Sequence, residues 1–284
     1  LTALSLTDGS ELWHEELERI VSSCAWWEWF SCAALCVVAA GPQSGFTGVV
    51  VGCGDMHVRA YEPDGALRWK FRYVNGIPGV IDLMDVNGDG VDELLVSGEV
   101  MSNRAWCRVV KADGSLMQEL EVEWWTSRMT AQALSEDQGQ WAAFWANWGR
   151  NLNFVEMKPT EDKPLHRHWI KYLPGSTTAL LIDAPGKHIL VGNSVGLFYC
   201  YEFSGEQLSR HAFDAGISLI ARMRDGFLIG LENGQAHWLQ LDSSGAIQSS
   251  QPWNTEGEWN YAVASGDALI VLTDQGLAIT TLSN

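Results

Sequence analysis

The sequence is poor in proline and in basic residues. Only 8 of its 284 residues are proline, and no low-complexity tract or linker divides the chain, so one domain over residues 1–284 is predicted. Lysine and arginine total 18 against 35 aspartates and glutamates, which gives a net charge of −17. This excess of negative charge would repel a phosphate backbone, so nucleic acid is not expected as a partner.

Long apolar runs and paired cysteines are also missing. No run reaches the roughly 20 apolar residues that a membrane-spanning helix needs, so no membrane span is predicted. The six cysteines form no CxxC pair, and several lie inside apolar stretches such as "VVVGCG" and "LFYCYEF". Free buried thiols are therefore favoured, with disulfides left open. Free thiols point slightly toward a cytoplasmic protein, but the compartment stays unassigned.

Catalytic motifs fail on their context. The segment "GNSVG", residues 192 to 196, matches the GxSxG pattern of a nucleophile elbow. That elbow needs a helix after it, whereas "LFYCYEF" predicts a strand, so Ser194 is interpreted as a hairpin-turn residue. No catalytic residue is assigned, and the sequence favours a non-enzymatic protein.

What the chain does contain is a repeated strand–loop–strand unit. Six such units read "CVVAAGPQSGFTGVVVGCG", "VIDLMDVNGDGVDELLVSG", "AQALSEDQGQWAAFWANW", "ALLIDAPGKHILVGNSVG", "LIARMRDGFLIGLENG" and "YAVASGDALIVLTDQG". Most are followed by a second hairpin whose turn carries Gly65, Gly114, Gly205 or Gly245 after Asp or Ser, which suits a tight reversal. Four short strands recurring about every 40 to 50 residues predict an all-β fold, a single β-propeller with four-stranded blades.

The two ends of the chain bear on how such a ring would close. "LTALSLTDGSELWHEEL" is typical of the outer half of a blade, and "YAVASGDALIVLTDQG" of an inner half. Pairing the N- and C-terminal strands in one blade would remove the sheet edges. Six inner hairpins favour six blades. Seven segments resemble third strands, so seven blades are the alternative.

The segment "DVNGDGVDE", residues 85 to 93, has the composition of a calcium loop. An EF-hand needs an acid at its twelfth position, which here is Val96, and a helix afterwards, so that reading fails. A loop between two strands remains. We expect side-chain oxygens of Asp85, Asn87, Asp89 and Glu93, together with the backbone carbonyl of Val91, to bind one calcium ion, since all these ligands are oxygen. The alternative is an Asx-rich turn without metal.

This loop resembles the FG-GAP, or integrin-propeller, calcium loop. The wider blade pattern, with "VRAYEPDGALRW" and "LTALSLTDGSELW", is similar to the quinoprotein or PQQ-like propeller repeat. The resemblance implies a propeller that supports adhesion, complex assembly or carbohydrate binding. Enzymes of that type which bind PQQ have larger propellers, so no PQQ is expected here. The other inner loops, "SEDQG", "DAPGKH" and "MRDG", lack the ligand pattern.

The fifteen tryptophans are the remaining unusual feature. Most are expected to fill the space between packed blades, where aromatic side chains bury large areas. Trp124 and Trp125 are adjacent on a predicted strand and so point to opposite faces, which makes one of them a candidate ligand-binding residue. Two functions follow. The first is a binding or scaffold propeller with another protein as partner, and the alternative is a glycan-binding module or carbohydrate-active enzyme that uses exposed tryptophans.

Overall fold

A computed structural model describes most of the chain. The residues that it describes are 1–5, 8–17, 32–38, 45, 47–73, 76–87, 89–100, 104–123, 126–133, 141–147, 150–158, 165–183, 185–223, 226–253, 259–265, 268–273 and 276–281. All regular elements in these ranges are β-strands. No helix in the same ranges is long and apolar enough to cross a membrane.

The first half of the chain contributes fourteen of the strands, each paired antiparallel with its sequence neighbours in the same sheet. A two-stranded sheet comprises β1 (Thr2–Leu4) and β2 (Glu11–His14). The next sheet comprises β3 (Cys32–Val38), β4 (Gly48–Cys53), β5 (His57–Tyr61) and β6 (Leu67–Arg72). A further sheet comprises β7 (Gly76–Met84), β8 (Glu93–Val100), β9 (Arg104–Val110) and β10 (Leu116–Glu123). The last of this group comprises β11 (Thr126–Ala133), β12 (Trp141–Asn147), β13 (Asn151–Met157) and β14 (Leu165–Tyr172).

The second half repeats this arrangement. One sheet comprises β15 (Thr177–Asp183), β16 (His188–Asn193), β17 (Leu197–Glu202) and β18 (Gln207–Ala212). Another comprises β19 (Ile217–Met223), β20 (Gly226–Leu231), β21 (Ala236–Leu241) and β22 (Ile247–Trp253). The last comprises β23 (Trp259–Ser265), β24 (Ala268–Thr273) and β25 (Gly276–Thr281). These meanders of four short strands confirm the all-β prediction.

By its internal contacts the chain divides into two compact units. The first unit comprises residues 1–149 and 154–168, and the second comprises residues 150–153 and 169–284. Within the first unit, β7 lies beside β3 and β11, and within the second, β19 lies beside β15 and β23. The first strand of one sheet therefore neighbours the first strand of the next, as in a series of blades.

Position in the sheet decides how deeply each strand is buried. The second strands are buried along their length, as in β16, "HILVGN", where both faces pack against neighbouring sheets. The fourth strands alternate between half-buried and exposed residues, as in β6, "LRWKFR", because only one face is covered. The core of the first unit includes Val50, Val96 and Val109, and that of the second includes Leu190 and Ile229.

The predicted turns between third and fourth strands are present. Gly65 and Gly114 have φ values of 86° and 85°, a left-handed conformation that glycine adopts without strain. The Gly65 N–H donates to the carbonyl of Glu62 at 2.9 Å, and Asp64 accepts the Ala66 N–H at 3.0 Å. The Asp-Gly pairs thus close these hairpins as their sequence predicts.

Tryptophan side chains join three of the described sheets to the next one at such turns, in what we call docking contacts. The indole N–H of Trp13 on β2 donates to the carbonyl of Pro63 at 3.0 Å, and that of Trp69 on β6 donates to Ala112 at 2.9 Å. In the second unit, Trp169 on β14 donates to Phe203 at 2.8 Å. A Cβ on Gly65 would lie 2.7 Å from the Trp13 ring, so the turn glycine also makes room for the tryptophan. These three tryptophans have the packing role between sheets that was expected of most tryptophans.

Two other polar side chains occupy the same place in their strands. Gln118 on β10 donates to the Leu165 carbonyl at 3.2 Å and accepts the Leu165 N–H at 3.0 Å. The Ser209 hydroxyl on β18 donates to the carbonyl of Gly245 at 2.6 Å. The docking contact therefore recurs among the described sheets, and these side-chain hydrogen bonds tie neighbouring sheets together.

Candidate functional site

The loop between β7 and β8 brings together the side chains predicted to bind calcium. The Asp89 N–H donates to Asp85 Oδ1 at 3.1 Å, and the Asn87 amide donates to Glu93 Oε1 at 3.0 Å. The same amide donates to Asp89 Oδ2 at 3.0 Å, and the Val91 N–H donates to Asp89 Oδ1 at 2.8 Å. The five predicted residues thus belong to one hydrogen-bonded loop, closed where Met84 pairs with Glu93.

Two of the loop's carboxylates are buried. Asp85 is 6% exposed and Glu93 is 3% exposed. Burial, together with the nearby carboxylates Asp89 and Asp85, raises the pKa of Glu93 to about 7, against the opposing hydrogen bond from the Val86 N–H. Burial and the charge of Asp85 also raise the pKa of Asp92. The loop therefore concentrates negative charge that its surroundings compensate only in part.

This loop matches a hard cation in the type of its ligand atoms but not in their arrangement. Its side chains offer oxygen, which calcium prefers. In the described part of the chain, however, no three His, Cys, Asp or Glu side chains are grouped so as to hold a metal ion. The oxygens of Asp85 instead accept N–H groups of the loop itself, from Asp89 and from Gly90 at 2.8 Å. This arrangement also matches the Asx-rich turn, the alternative left open by the sequence.

Trp124 and Trp125, the predicted ligand-binding pair, lie outside the described residues. Of the remaining predictions, Ser194 lies in the turn between β16 and β17, and its hydroxyl accepts the Ser176 N–H at 3.1 Å. The hairpin-turn interpretation of Ser194 is confirmed. Cys53, Cys107 and Cys200 are buried and form no disulfide, as expected of thiols inside apolar strands.

A second group of charged side chains lies at the β15–β16 hairpin and was not predicted. Asp183, 4% exposed, ends β15 and forms an ion pair with Arg222 on β19. The Nδ1 atom of His188, the first residue of β16, lies 3.7 Å from Asp183 Oδ2. Burial lowers the pKa of His188, against the opposing charges of Glu202 and Asp242. The sequence carried a weak signal, since both Asp183 and His188 flank the turn "APGK".

Comparison with known proteins gives a fold but no family. No model of a protein family matches the sequence, and no curated protein matches it either. Among solved structures, the chain is similar to BBS1N in complex with ARL6DN, with a TM-score of 0.65 and 16% identity over 89% of this chain and 79% of that chain. The similarity at this level of identity concerns the fold alone.

Two further solved structures are described as propellers. The β-propeller domain of Cps50 (Swd1) from Myceliophteria thermophila matches with a TM-score of 0.62 and 14% identity, over 88% of this chain and 83% of that chain. The Dos1 propeller matches with a TM-score of 0.63 and 13% identity, over 84% of this chain and 66% of that chain. Together with the four-stranded antiparallel sheets, these similarities show that the chain has a β-propeller fold.

Proposed function

We propose that this chain is a non-enzymatic binding or scaffold propeller that holds another protein through the loops at the rims of its sheets. The observation that carries the proposal is the β-propeller fold, shared with a solved structure of BBS1N in complex with ARL6DN. Fold alone does not select a function. The partner is therefore proposed from that complex together with the charge of −17, which disfavours nucleic acid.

The test is capture of a partner by the intact chain from native extract, followed by reconstitution with the purified candidate. Val91, 37% exposed on the β7–β8 loop, is replaced by aspartate to disturb that rim. The matched control is Arg68→Ala, because Arg68 lies on the exposed fourth strand β6. A reconstituted complex of defined stoichiometry that Val91→Asp weakens and Arg68→Ala preserves would support the proposal. Failure to reconstitute any protein complex would refute it.

A second part of the proposal is that the β7–β8 loop binds one calcium ion. Asp85, Asn87, Asp89 and Glu93 would hold it through side-chain oxygens, and Val91 through its carbonyl, with a bound cation neutralising the loop's carboxylates. Support comes from the burial of Asp85 and Glu93 in one loop. It does not depend on membership of the FG-GAP or PQQ-like families, for which no family model matches.

Calorimetric titration of the chelator-treated protein with calcium tests this part. Heat of binding and a rise in melting temperature are expected, and Asp89→Ala should remove both. The control is Asp113→Ala, since Asp113 lies in a third-to-fourth-strand turn and accepts only the hydrogen bonds of Ser115. Absence of heat, or an unchanged response in Asp89→Ala, would leave the loop as a turn without metal.

We also propose a six-bladed ring closed by strands from both termini, with seven blades as the alternative. The described pairings place β1 and β2 in one sheet and β23 to β25 in another. Trp13 on β2 docks as the fourth-strand residues Trp69 and Trp169 do, which supports the assignment of β2 to the outer half of a blade. Deleting residues 1–17 should cause aggregation or loss of cooperative unfolding. A stable, monomeric deletion variant would contradict closure.

A further inference from the structure

A small cleft opens between the β15–β18 and β19–β22 sheets of the second unit. Its volume is about 270 Å³, and its lining includes Asp183, Gly186, His188, Arg222, Phe227 and Asp242. A Cβ on Gly186 would overlap the Asp183 carboxylate and lie 2.6 Å from His188 Nδ1, so the glycine keeps this space open. Sites for drug-sized ligands occupy about 300–1,000 Å³. The cleft is therefore matched to a single side chain or a comparably small group.

The walls of the cleft carry more negative than positive charge. Asp183 and Asp242 are carboxylates, and Arg222 is the cation among the lining residues. Because burial lowers the pKa of His188, this imidazole adds no positive charge at neutral pH. Asp242 Oδ1 accepts hydrogen bonds from its own turn, including the Ala246 N–H at 3.0 Å, which keeps it ionised. An anionic ligand would face two carboxylates, whereas a cation would be attracted by both.

Asp183 is the buried anchor of this site. It is 4% exposed, and its Oδ1 atom faces the Nη1 atom of Arg222. Its charge is compensated by the ion pair with Arg222, whose side chain is 43% exposed. A buried carboxylate that loses its partner is destabilising or becomes protonated, so a cation beside the ionised Asp183 is favoured. An exposed arginine is one that another guanidinium can replace.

Arg222 shows how a guanidinium occupies the cleft. Its Cζ atom lies 5.5 Å from the centroid of the Phe227 ring while the group pairs with Asp183. A carboxylate beside an aromatic face is the combination that arginine recognises better than lysine, because the planar guanidinium both stacks and forms forked hydrogen bonds. Leu241 and Pro185 line the same cleft and offer apolar contact to the methylene stem.

We propose that this cleft binds an arginine side chain of the protein partner, which takes the place of Arg222 on Asp183 and Phe227. The inference rests on the proposed function, because it names the chemistry of the partner that the propeller would hold. Arg222 then acts as an internal occupant that keeps Asp183 paired when no partner is bound. Arginine is one of the residues that most often dominate the energetics of protein interfaces.

Titration of the intact protein with N-acetyl-arginine amide tests this inference. The amide resonances of Gly186, Gly226 and Phe227 are followed by NMR, and N-acetyl-citrulline amide serves as the uncharged ligand of the same shape. Arginine amide should shift these resonances saturably, and citrulline amide should not. Asp183→Asn should weaken binding about tenfold or more. Arg222→Ala should strengthen binding, because the ligand no longer competes with an internal guanidinium, and Glu206→Gln should leave it unchanged.

Three results would overturn the inference. The first is that citrulline amide binds as tightly as arginine amide. The second is that Arg222→Ala binds arginine amide no more tightly than the wild type does. The third is that the shifted resonances are spread over the acidic surface and not confined to the cleft. If Asp183→Asn fails to fold, Arg222→Ala still decides, because added arginine amide can supply the cation beside Asp183 that this variant lacks. A partner that Asp183→Asn reconstitutes as well as the wild type would leave the proposed function standing and refute the arginine site. Failure to reconstitute any partner, with arginine amide still bound in the cleft, would refute the proposed function and leave a guanidinium site that no protein partner fills.

Discussion

The β7–β8 connection of the first unit and the β15–β16 connection of the second lie between the first and second strands of their sheets. Each buries a carboxylate there, Glu93 at 3% exposure and Asp183 at 4%. Glu93 accepts N–H groups from its own loop, from Val86 at 2.9 Å and Asn87 at 3.0 Å. Asp183 pairs with Arg222 of the neighbouring sheet. One topological position thus uses two ways of stabilising a buried acid.

The lengths of the two connections explain this difference. Eight residues separate β7 from β8, enough for the chain to curl its backbone donors around its own acids. Only four residues separate β15 from β16, so the charge of Asp183 must be compensated by a residue from outside the hairpin. The long loop hydrogen-bonds its own acids, whereas the short one leaves a cleft beside its aspartate. What the two units share is the docking contact.

The largest expected effect tests that shared contact in both units. Trp69→Ala and Trp169→Ala should each destabilise the protein by about 2–4 kcal/mol, because each removes a large ring and a hydrogen bond between sheets. Trp69→Phe and Trp169→Phe keep a ring and lose the N–H donor, so about 1 kcal/mol is expected. Urea unfolding measures all four. A cost below about 1 kcal/mol for either alanine variant would show that the docking contact is not equivalent in the two units.

The next effect is a pH dependence of stability that differs between the β7–β8 and β15–β16 connections, and the first group concerned is Glu93. Its pKa is about 7 in the folded protein against an ordinary value of 4.5. A group whose pKa is raised on folding contributes stability below its ordinary pKa and loses it as pH rises through the folded value. Without calcium, the free energy of unfolding should therefore fall between about pH 5 and about pH 8, by on the order of 2–3 kcal/mol from this group.

Glu93→Gln isolates this contribution, since glutamine keeps the shape and cannot ionise. The difference between wild type and Glu93→Gln should grow with pH, with the variant the more stable at about pH 8 in chelator. Added calcium should then raise the melting temperature of the wild type and leave that of Glu93→Gln unchanged. A pH-independent difference between the two proteins would mean that Glu93 keeps an ordinary pKa and that the loop stores no uncompensated charge.

A smaller pH effect on stability, of the opposite sign, is expected at the β15–β16 connection. Burial lowers the pKa of His188 below its ordinary value of 6.5. Stability from a histidine with a lowered pKa is present above the ordinary pKa and is lost as pH falls below it. Acidification should thus weaken the second unit relative to His188→Asn, while it stabilises the loop that holds Glu93. The effect is smaller because the charges of Glu202 and Asp242 oppose it. Chemical unfolding of both proteins at about pH 5 and about pH 7.5 measures it, and a constant difference would contradict the lowered pKa.

Much of the fold could be predicted because its signals are local. A turn such as "DG" at Asp64 and Gly65 needs only neighbouring residues, and so does the alternation of the strands around it. The docking tryptophans were foreseen only as packing residues. The spacing "DGSELW" and "DGALRW", with tryptophan four residues after the turn glycine, is a repeated signal that could have identified the contact.

The two candidate sites differ in how far apart their residues lie in the sequence. The residues of the β7–β8 loop lie within nine positions of sequence, so their proximity follows from one hairpin. Asp183, Arg222 and Asp242 come from separate hairpins of two sheets, and only the packing of those sheets brings them together. The pattern of "DAPGKH" predicts a loop without metal ligands. It gives no sign of the ion pair, because the arginine that pairs with its aspartate lies 39 residues further along the chain.

The smallest expected effect concerns Trp124 and Trp125, the predicted ligand-binding pair, which lie outside the described residues. Adjacent residues of a strand point to opposite faces, so the sequence predicts that one of the two is exposed and available to a glycan.

We therefore expect Trp124→Ala and Trp125→Ala to differ in their effect on stability. Loss of the surface side chain should change the free energy of unfolding by less than about 0.5 kcal/mol. Loss of the other ring should cost several times more, because a buried ring leaves a cavity. A glycan array then examines the alternative function: specific binding that the less destabilising substitution abolishes would favour a glycan-binding module. Equal destabilisation by the two substitutions would contradict the prediction that the two rings face opposite sides of a strand.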